Sequence, residues 1–448
     1  MSKYLIVGII LVVLVALLAT NKKLVETLKN IYKIEELRKR ILFTLGLLLV
    51  YRLGSFVTLP GVNHAALEAF TQSFADDNSL MGLLNVFSGG AFSQASIFAL
   101  GVMPYITASI IIQLLGIMVP YFRKMQREGE SGRRKMNQWT RFLTIAVLLL
   151  QAPAYLKSTV MRYNAVSMGE DTFIYTSTII LIAGTMFIMW LGEKITDKGI
   201  GNGVSLIIMI GIVARLPHAF LEELMFQVSA SGSIIMLIVE LVFLAMVFML
   251  AIAIVQAVRK IPVQYAKRIV GNKQYGGVRQ YIPLKLNAAN VMPIIFAQAL
   301  MFIPGLIWGG QWLDIQSFWY NFTLFALVIA FTYFYTAIIV NPQMMADDMK
   351  RNGGFIPGVK PGKSTVSYID NVMTRITLPG SIFLAIITVL PAVAMKLGVT
   401  QQFAYFYGGT SLLIMVGVVL DTLKQIESYL LMRHYDGLMK TGRIQGRY

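Results

Sequence analysis

The sequence predicts an all-α polytopic membrane protein, and three observations predict it. Hydrophobic residues make up 56% of the 448-residue chain and charged residues 14%, with a mean hydropathy of +0.66; an ordinary soluble domain carries about a quarter charged residues. Apolar runs recur along the chain, most of them of a length that spans a hydrocarbon core. The charges avoid these runs and gather in alternate loops, as the positive-inside rule produces.

Residues 4–20, YLIVGIILVVLVALLAT, are the first run, with Lys3 before it and Asn21, Lys22 and Lys23 after it. It is at the short end of what spans, and it reads as an uncleaved membrane helix rather than a signal peptide: Leu17 and Ala19 do not make a small-x-small cleavage site. From Lys22 to Arg40 the chain is basic and amphipathic, with Leu24, Leu28, Ile31, Ile34 and Leu37 at helical spacing. This predicts a helix lying on the cytoplasmic face. Further runs follow at about 41–59, 97–120, 142–156, 173–192, 203–216, 233–257, 290–308, 318–340, 376–395 and 405–423.

Loop charges fix the orientation. The 121–141 loop holds Arg123, Lys124, Arg127, Arg133, Arg134, Lys135 and Arg141, and the 258–285 loop is equally basic. Residues 341–375 carry Lys350, Arg351, Lys360, Lys363 and Arg375, and the tail adds Arg433, Lys440, Arg443 and Arg447. The alternate loops hold Glu68, Asp76 and Asp77, then Glu170 and Asp171, Glu222 and Glu223, and Asp314. Ten spans with both ends in the cytoplasm fit every loop, and the extra first run then places Met1 outside.

The stretch Leu80 to Tyr121 stands apart. Its second half is apolar enough to cross a bilayer but contains Pro104, and its first half mixes Val86 and Phe87 with the small polar run Ser88 to Gln94. One reading is an external loop leading into a kinked helix. The other is a short re-entrant piece that lines a cavity, since lipid cannot satisfy a loosened backbone.

Several function classes are excluded. The net charge of +17 is explained first by basic cytoplasmic loops, not nucleic acid. Zero cysteines rule out disulfides, thiol catalysis and iron–sulfur ligation, and His64, His218 and His434 are too scattered for a metal site. No cofactor is expected. The run Gly358-Val359-Lys360-Pro361-Gly362-Lys363-Ser364 looks like a phosphate loop, but its glycines are separated by three residues where the motif needs four. Glu193, Glu240, Asp421 and Arg52 lie near predicted helix ends, where they reach the interface. The scarcity of midplane carboxylates counts against an ion-coupled pump.

The strings NVFSGGAFSQASIFALGVMPYITASIIIQLL, REGESGRRKMNQWTR, GTMFIMWLGEKITDKGIGNGVSLII, YAKR, IPLKLN, FIPGVKPGK, YIDNVMTRITLPG and YGGTSLLI occur in this order. They resemble the bacterial SecY family, the channel subunit of the protein-export translocon, from about Lys22 to the C-terminus. The resemblance implies ten transmembrane helices in two pseudo-symmetric halves within 22–217 and 218–448, forming an hourglass pore with a lateral gate. Residues 1–21 have no counterpart in that pattern. It also implies a multi-pass protein of the bacterial inner membrane that is not an enzyme by itself. Its partners would be SecE and SecG in a heterotrimer, the ATPase SecA, the ribosome through its rRNA, signal sequences and nascent chains, and membrane lipids.

Carried onto this chain, the resemblance implies a plug at Asn85, Val86, Phe87, Ser88, Gly89, Gly90, Ala91, Phe92, Ser93 and Gln94. It implies a pore ring of Val102, Ile106, Val204, Ile208, Ile295 and Ile414, and a lateral gate involving Gln113 and Asn287 at the start of the seventh helix. A ring of branched aliphatics dewets a narrow bore without offering hydrogen bonds to a passing chain. The implied docking residues for ribosome or SecA are Lys260, Lys267, Arg268, Lys273, Lys360 and Lys363, in loops with little to pack against. Here the chain departs from the family: Lys360, Lys260 and Lys273 stand where arginines are common, and Asn272 replaces one. Lysine keeps the charge but loses the planar fork.

Two rivals remain. A secondary transporter of a small solute would also use broken helices and the glycine-rich 199–203 stretch. An insertase or scaffold without a pore would leave the ring and plug without purpose.

Overall fold

The computed structural model describes residues 34–63, 85–161, 166, 169–228, 234–265, 268–270, 273–275, 279–308 and 314–440. The apolar run 4–20, most of the amphipathic stretch 22–40, and the docking candidate Lys267 lie outside the described residues. Of the described residues, those up to Met225 together with those from Val418 onward form one compact unit, and Phe226–Gly417 form the other.

In the first unit, α1 (Glu35–Gly54) begins with Glu35 and Glu36 and ends with Arg52, charges that suit the two poles of the helix dipole. Residues 35–40 belong to this one helix, so the expected surface helix and the expected span 41–59 are continuous here. Leu37, Thr44, Leu48 and Tyr51 form its buried stripe, while Leu42, Leu45, Leu49 and Leu53 are exposed. An apolar outer face is expected of a helix solvated by lipid. The helix stops at Gly54, where a Cβ would run into the ring of Phe98. The chain then turns, and Leu59 N–H donates to the Ala95 carbonyl at 2.9 Å while Ile97 N–H donates to Val57 at 2.9 Å.

The kinked-helix reading of Pro104 does not hold. Helix α2 (Met103–Met118) starts there, with Pro104 in its first turn, where the missing N–H has no helical partner to lose. Residues 97–102 are turns. Pro120 forces Val119 into an extended conformation (φ −102°, ψ 121°), and α3 (Pro120–Arg127) departs at 100°. The basic 121–141 loop is therefore largely helical: α4 (Glu130–Tyr155) starts twelve residues before the apolar run and passes into a π-helical turn at Leu156–Val160. Helix α5 (Glu170–Lys198) then turns tightly into α6 (Gly203–Val228).

That turn explains the glycine-rich 199–203 stretch by packing. Gly203 faces the Gly192 carbonyl with no room for a Cβ, and its N–H donates to Thr196 Oγ1 at 2.9 Å. Ile200 N–H donates to Thr44 Oγ1 on α1 at 3.1 Å, and Gly201 N–H to Gln425 Oε1 at 2.8 Å. The feature that the transporter reading borrowed is a helix crossing.

The second unit opens with α7 (Ile234–Gln256) and then corrects the all-α expectation. Strands β1 (Val258–Tyr265) and β4 (Arg279–Lys285) form an antiparallel hairpin, with Lys260 opposite Pro283. Within it, β2 (Arg268–Val270) and β3 (Lys273–Tyr275) make a smaller ladder. Helices α8 (Met292–Trp308) and α9 (Phe318–Ile339) follow. Helix α10 (Pro342–Arg351) is capped by Asn341, whose side chain accepts from the N–H groups of Gln343 and Met344. Strand β5 (Gly354–Phe355) adds to β1, and α11 (Lys363–Lys396) and the short α12 (Gln401–Ala404) lead to α13 (Gly409–Lys440), which belongs to the first unit from Val418 onward.

A helix lies over each of the ten apolar runs from 41–59 onward. Among the described residues six helices have the length and hydropathy to cross a membrane, and the bent pair α2–α3 makes a seventh if counted as one span. Two acidic residues differ from expectation. Glu223 lies within α6, which runs on through Pro217 to Val228, and is fully buried. Glu240 is 3% exposed and accepts a hydrogen bond from Gln227 Nε2 at 3.0 Å, so it does not reach an aqueous interface.

Candidate functional site

The segment Asn85 to Gln94 folds into a knot of its own hydrogen bonds. After a helical turn at residues 85–87, Gly90 N–H donates to the Asn85 carbonyl at 2.9 Å and Ser93 N–H to Asn85 Oδ1 at 3.1 Å. Ser88 Oγ donates to the Asn85 carbonyl and accepts from Phe92 N–H, each at 3.1 Å. Ser93 Oγ donates to the Gly90 carbonyl at 3.1 Å. Small polar residues thus pair each other and their backbone, which lets irregular chain be buried. Asn85, Val86, Ser88, Ala91, Phe92 and Ser93 are all buried. The external-loop reading therefore fails, and a compact folded-back segment stands.

Its neighbours come from three elements of the same unit. Arg52, in the last turn of α1, donates from Nη1 to the Gly89 carbonyl at 2.8 Å and stacks over Phe56 at 4.7 Å. Tyr155, at the end of α4, donates its hydroxyl to the Phe92 carbonyl at 2.7 Å, with the two rings 4.6 Å apart. On α6, Gly211 lies against the segment: a Cβ there would sit 2.8 Å from the Phe87 carbonyl oxygen, and one on Gly89 would sit 2.9 Å from the Gly211 Cα. Gly89 and Gly90 have φ of 66° and 92°, a region that favours glycine. The guanidinium of Arg215 lies beside Gly90.

The six aliphatic ring candidates lie at the N-cap or within the first two turns of their helices. Val102 is the N-cap of α2 and Ile106 lies one turn on, its N–H donating to the Val102 carbonyl at 3.0 Å. Val204 and Ile208 occupy the first two turns of α6, Ile295 the first of α8, and Ile414 the second of α13. In the second unit, Thr410 Oγ1 donates to Gln298 Oε1 at 3.3 Å, which ties α13 to α8 one turn from both Ile414 and Ile295. Val102 and Ile414 are buried; Ile106, Val204, Ile208 and Ile295 are partly exposed.

Of the gate candidates, Gln113 lies in α2, and its Nε2 donates to Ser109 Oγ at 3.4 Å. It lines a cavity of about 590 Å³ between α2, α3 and α4, with Gln126, Glu130, Arg133 and Asn137. Asn287 lies in the turn before α8, not in the helix as expected. Its Nδ2 donates to the Asn290 carbonyl at 3.1 Å, and its buried Oδ1 has no hydrogen-bond partner among the described residues.

The docking loops are not the weakly packed connections expected. Ile261 and Val263 of β1, Leu284 of β4, Met349 of α10, Ile356, and Ile369 and Met373 of α11 form one buried core. Alternation along β1 turns Ile261 inward and Lys260 outward. Lys360, between Gly358 and Gly362 (φ of 84° and 102°), and Lys363, just after them, are both exposed. Arg268 and Lys273 lie on the β2–β3 ladder, opposite Tyr275 and Val270.

A helical chain with a buried re-entrant segment and aliphatic residues at helix starts belongs to the class of polytopic membrane channels and carriers. The SecY family model matches residues 96–423. The chain is 43% identical over 433 residues to the protein translocase subunit SecY of Streptomyces coelicolor, covering 91% of this chain and 98% of that one. It superimposes on a structure described as a protein conducting channel with a TM-score of 0.59 at 17% identity, over 87% of this chain and 91% of that chain. For Sec61 in the canine ribosome-channel complex from the endoplasmic reticulum the TM-score is 0.55 at 16% identity, with the same coverage. The chain belongs to the SecY family.

Arg52, Tyr155, Gly211 and Arg215 are the site residues that sequence reasoning missed. An arginine at the end of an apolar helix was a signal, but it was read as an interface anchor.

Proposed function

We propose that this chain is a protein-conducting channel, passing unfolded secretory polypeptides across the bacterial cytoplasmic membrane and releasing apolar segments sideways into lipid. The observation that carries this reading is the folded-back segment Asn85–Gln94. It is buried, internally hydrogen-bonded and set against α6, the helix that begins with Val204 and Ile208. Such a segment suits a removable plug, and the aliphatic helix starts suit a dewetted constriction. A coupled solute carrier has less support, since the glycine-rich turn is used for packing.

In this reading the chain crosses the membrane ten times, with the tail in the cytoplasm, and residues 4–20 add an eleventh span. The halves part sideways at Gln113 and Asn287. The Asn287 amide oxygen, without a partner among the described residues, and the weakly held Gln113 amide each keep hydrogen-bonding capacity for an incoming signal sequence. SecE and SecG complete the complex. SecA or the ribosome docks on Lys260, Lys267, Arg268, Lys273, Lys360 and Lys363, through charge that suits acidic protein faces and rRNA phosphates alike.

The test is reconstitution of the purified complex in vesicles with a secretory precursor and its energy source. Protease protection of the precursor inside the vesicle supports the channel. Exchange of a small solute by the chain alone, with no protected precursor, overturns it.

A further inference from the structure

Val204, Ile208, Gly211 and Arg215 follow each other at spacings of four, three and four residues along α6. At 3.6 residues per turn these four positions lie on one face of the helix. The first two are ring candidates. The third touches the backbone of Phe87 and Gly89, and the fourth lies beside Gly90. One helix face therefore continues from the constriction into the surface that holds the folded-back segment. Arg52, in the last turn of α1, holds the same segment through the Gly89 carbonyl at 2.8 Å.

We propose that Gly211 and Arg52 form a seat for the plug, and that this seat couples the plug to the ring. The proposal rests on the plug and ring reading above. Gly211 sets the depth of the seat, because backbone meets backbone there and an added methyl would meet the Phe87 carbonyl oxygen at 2.8 Å. Arg52 supplies the retaining force, since a charged donor to a buried carbonyl is stronger than a neutral one. Any displacement of α6 that withdraws Val204 and Ile208 from the constriction also moves Gly211 from under Gly89. Ring opening and plug release are then one event, with no separate trigger needed at the plug. Arg52 and Gly211 are positioning residues; they act through the segment they hold.

The experiment uses the complete complex in phosphatidylcholine–phosphatidylglycerol vesicles containing a chloride-quenched dye. Arg52→Gln should raise the chloride leak by about tenfold, the scale of one charge-assisted hydrogen bond, and Gly211→Ala should raise it as well, by crowding the segment off its seat. Arg52→Lys should restore part of the seal. In a chain lacking Asn85–Gln94 the same substitutions should add nothing, because the seat then holds nothing. An equal-fold increase with and without the segment would mean that they disturb the ring or the fold, and would overturn the seat. So would wild-type leak in the full chain.

A second readout is independent of leak and of the ring assignment. The chain has no cysteine, so a single Val86→Cys at a buried plug position is the unique thiol. Arg52→Gln should accelerate its reaction with a membrane-impermeant maleimide by a similar factor. An unchanged rate overturns the seat even if leak has risen. Failure of the ring reading shows separately, as Ile208→Ser leaking no more than a control while the seat variants still expose Val86→Cys.

Discussion

Tyr155 and Phe92 are joined twice: the tyrosine hydroxyl donates to the phenylalanine carbonyl at 2.7 Å, and the two rings lie 4.6 Å apart at 52°. The polar contact fixes the backbone of the re-entrant segment, and the apolar one fixes its side chain against the end of α4. Tyr155→Phe removes the first and keeps the second. A buried hydrogen bond contributes about 1 kcal/mol net, and the orphaned carbonyl adds to the loss. We expect a resting ion leak about fivefold above wild type, with a larger rise for Tyr155→Ala. If the two variants leak equally, ring packing adds nothing to the hydrogen bond; if Tyr155→Phe leaks as the wild type does, the hydroxyl contributes nothing and ring packing alone holds the segment.

Ile106→Ser and Ile208→Ser should each raise resting conductance of the reconstituted complex, because a hydroxyl wets a constriction that branched aliphatics keep dry. The structure decides the control. Ile110 is buried, so serine there would cost stability by leaving a cavity and is unsuitable, whereas Ile210 on α6 is half-buried. Conductance of Ile208→Ser equal to that of Ile210→Ser would remove the ring assignment.

Lys260 and Lys360 are exposed on a folded subdomain, so charge reversal at both should leave thermal stability within about 0.5 kcal/mol of wild type. Binding of SecA or ribosomes should weaken and become less salt-sensitive, since the attraction is screened over roughly 8 Å at physiological ionic strength. Ile261→Ala, one residue away but in the core of that subdomain, should cost about 2–5 kcal/mol. Sedimentation with ribosomes and a thermal melt of each variant separate the two effects. Unaltered binding by the Lys260 and Lys360 variant would show that partners dock elsewhere.

Glu240 is buried, with Gln227 donating to its carboxylate and Tyr407 donating to its backbone carbonyl at 2.9 Å. Glu240→Ala should lower the melting temperature of the detergent-solubilised complex, in line with about 1–3 kcal/mol for a broken buried polar contact. Glu240→Gln keeps an acceptor oxygen and should lose less. The ranking fails if alanine is tolerated as well as glutamine.

The helices were legible because an apolar run in lipid has few alternatives to helix. Their ends were not, since a helix continues into water where hydropathy no longer marks it. Helix α4 begins at Glu130 among charged residues, and α6 runs on through Pro217 to Val228. Pro104 illustrates a second limit: a proline inside an apolar run is compatible with a kink or with a first turn, and local sequence does not choose. The hairpin at 258–285 was hidden by its charges, although Ile261, Val263, Ile282 and Leu284 carry a two-residue alternation. Long-range partners were beyond reach altogether. Arg52 meets a carbonyl 37 residues away, and nothing near Arg52 in the sequence marks Gly89 as its acceptor.

The two loops proposed for docking lie far apart in the chain yet share one core, with Gln264 of β1 paired to Phe355 of β5 and Ile369 and Met373 of α11 buried beneath them. Helix α11 is 34 residues long, a rod of roughly 50 Å. Torque applied by a bound partner to either loop is therefore not absorbed in a loose tether. The packed core passes it to the base of that rod, and a rod pivoted at its base swings furthest at its far end. If partners dock on these loops as proposed, a partner that pushes there has in α11 a lever arm of that length.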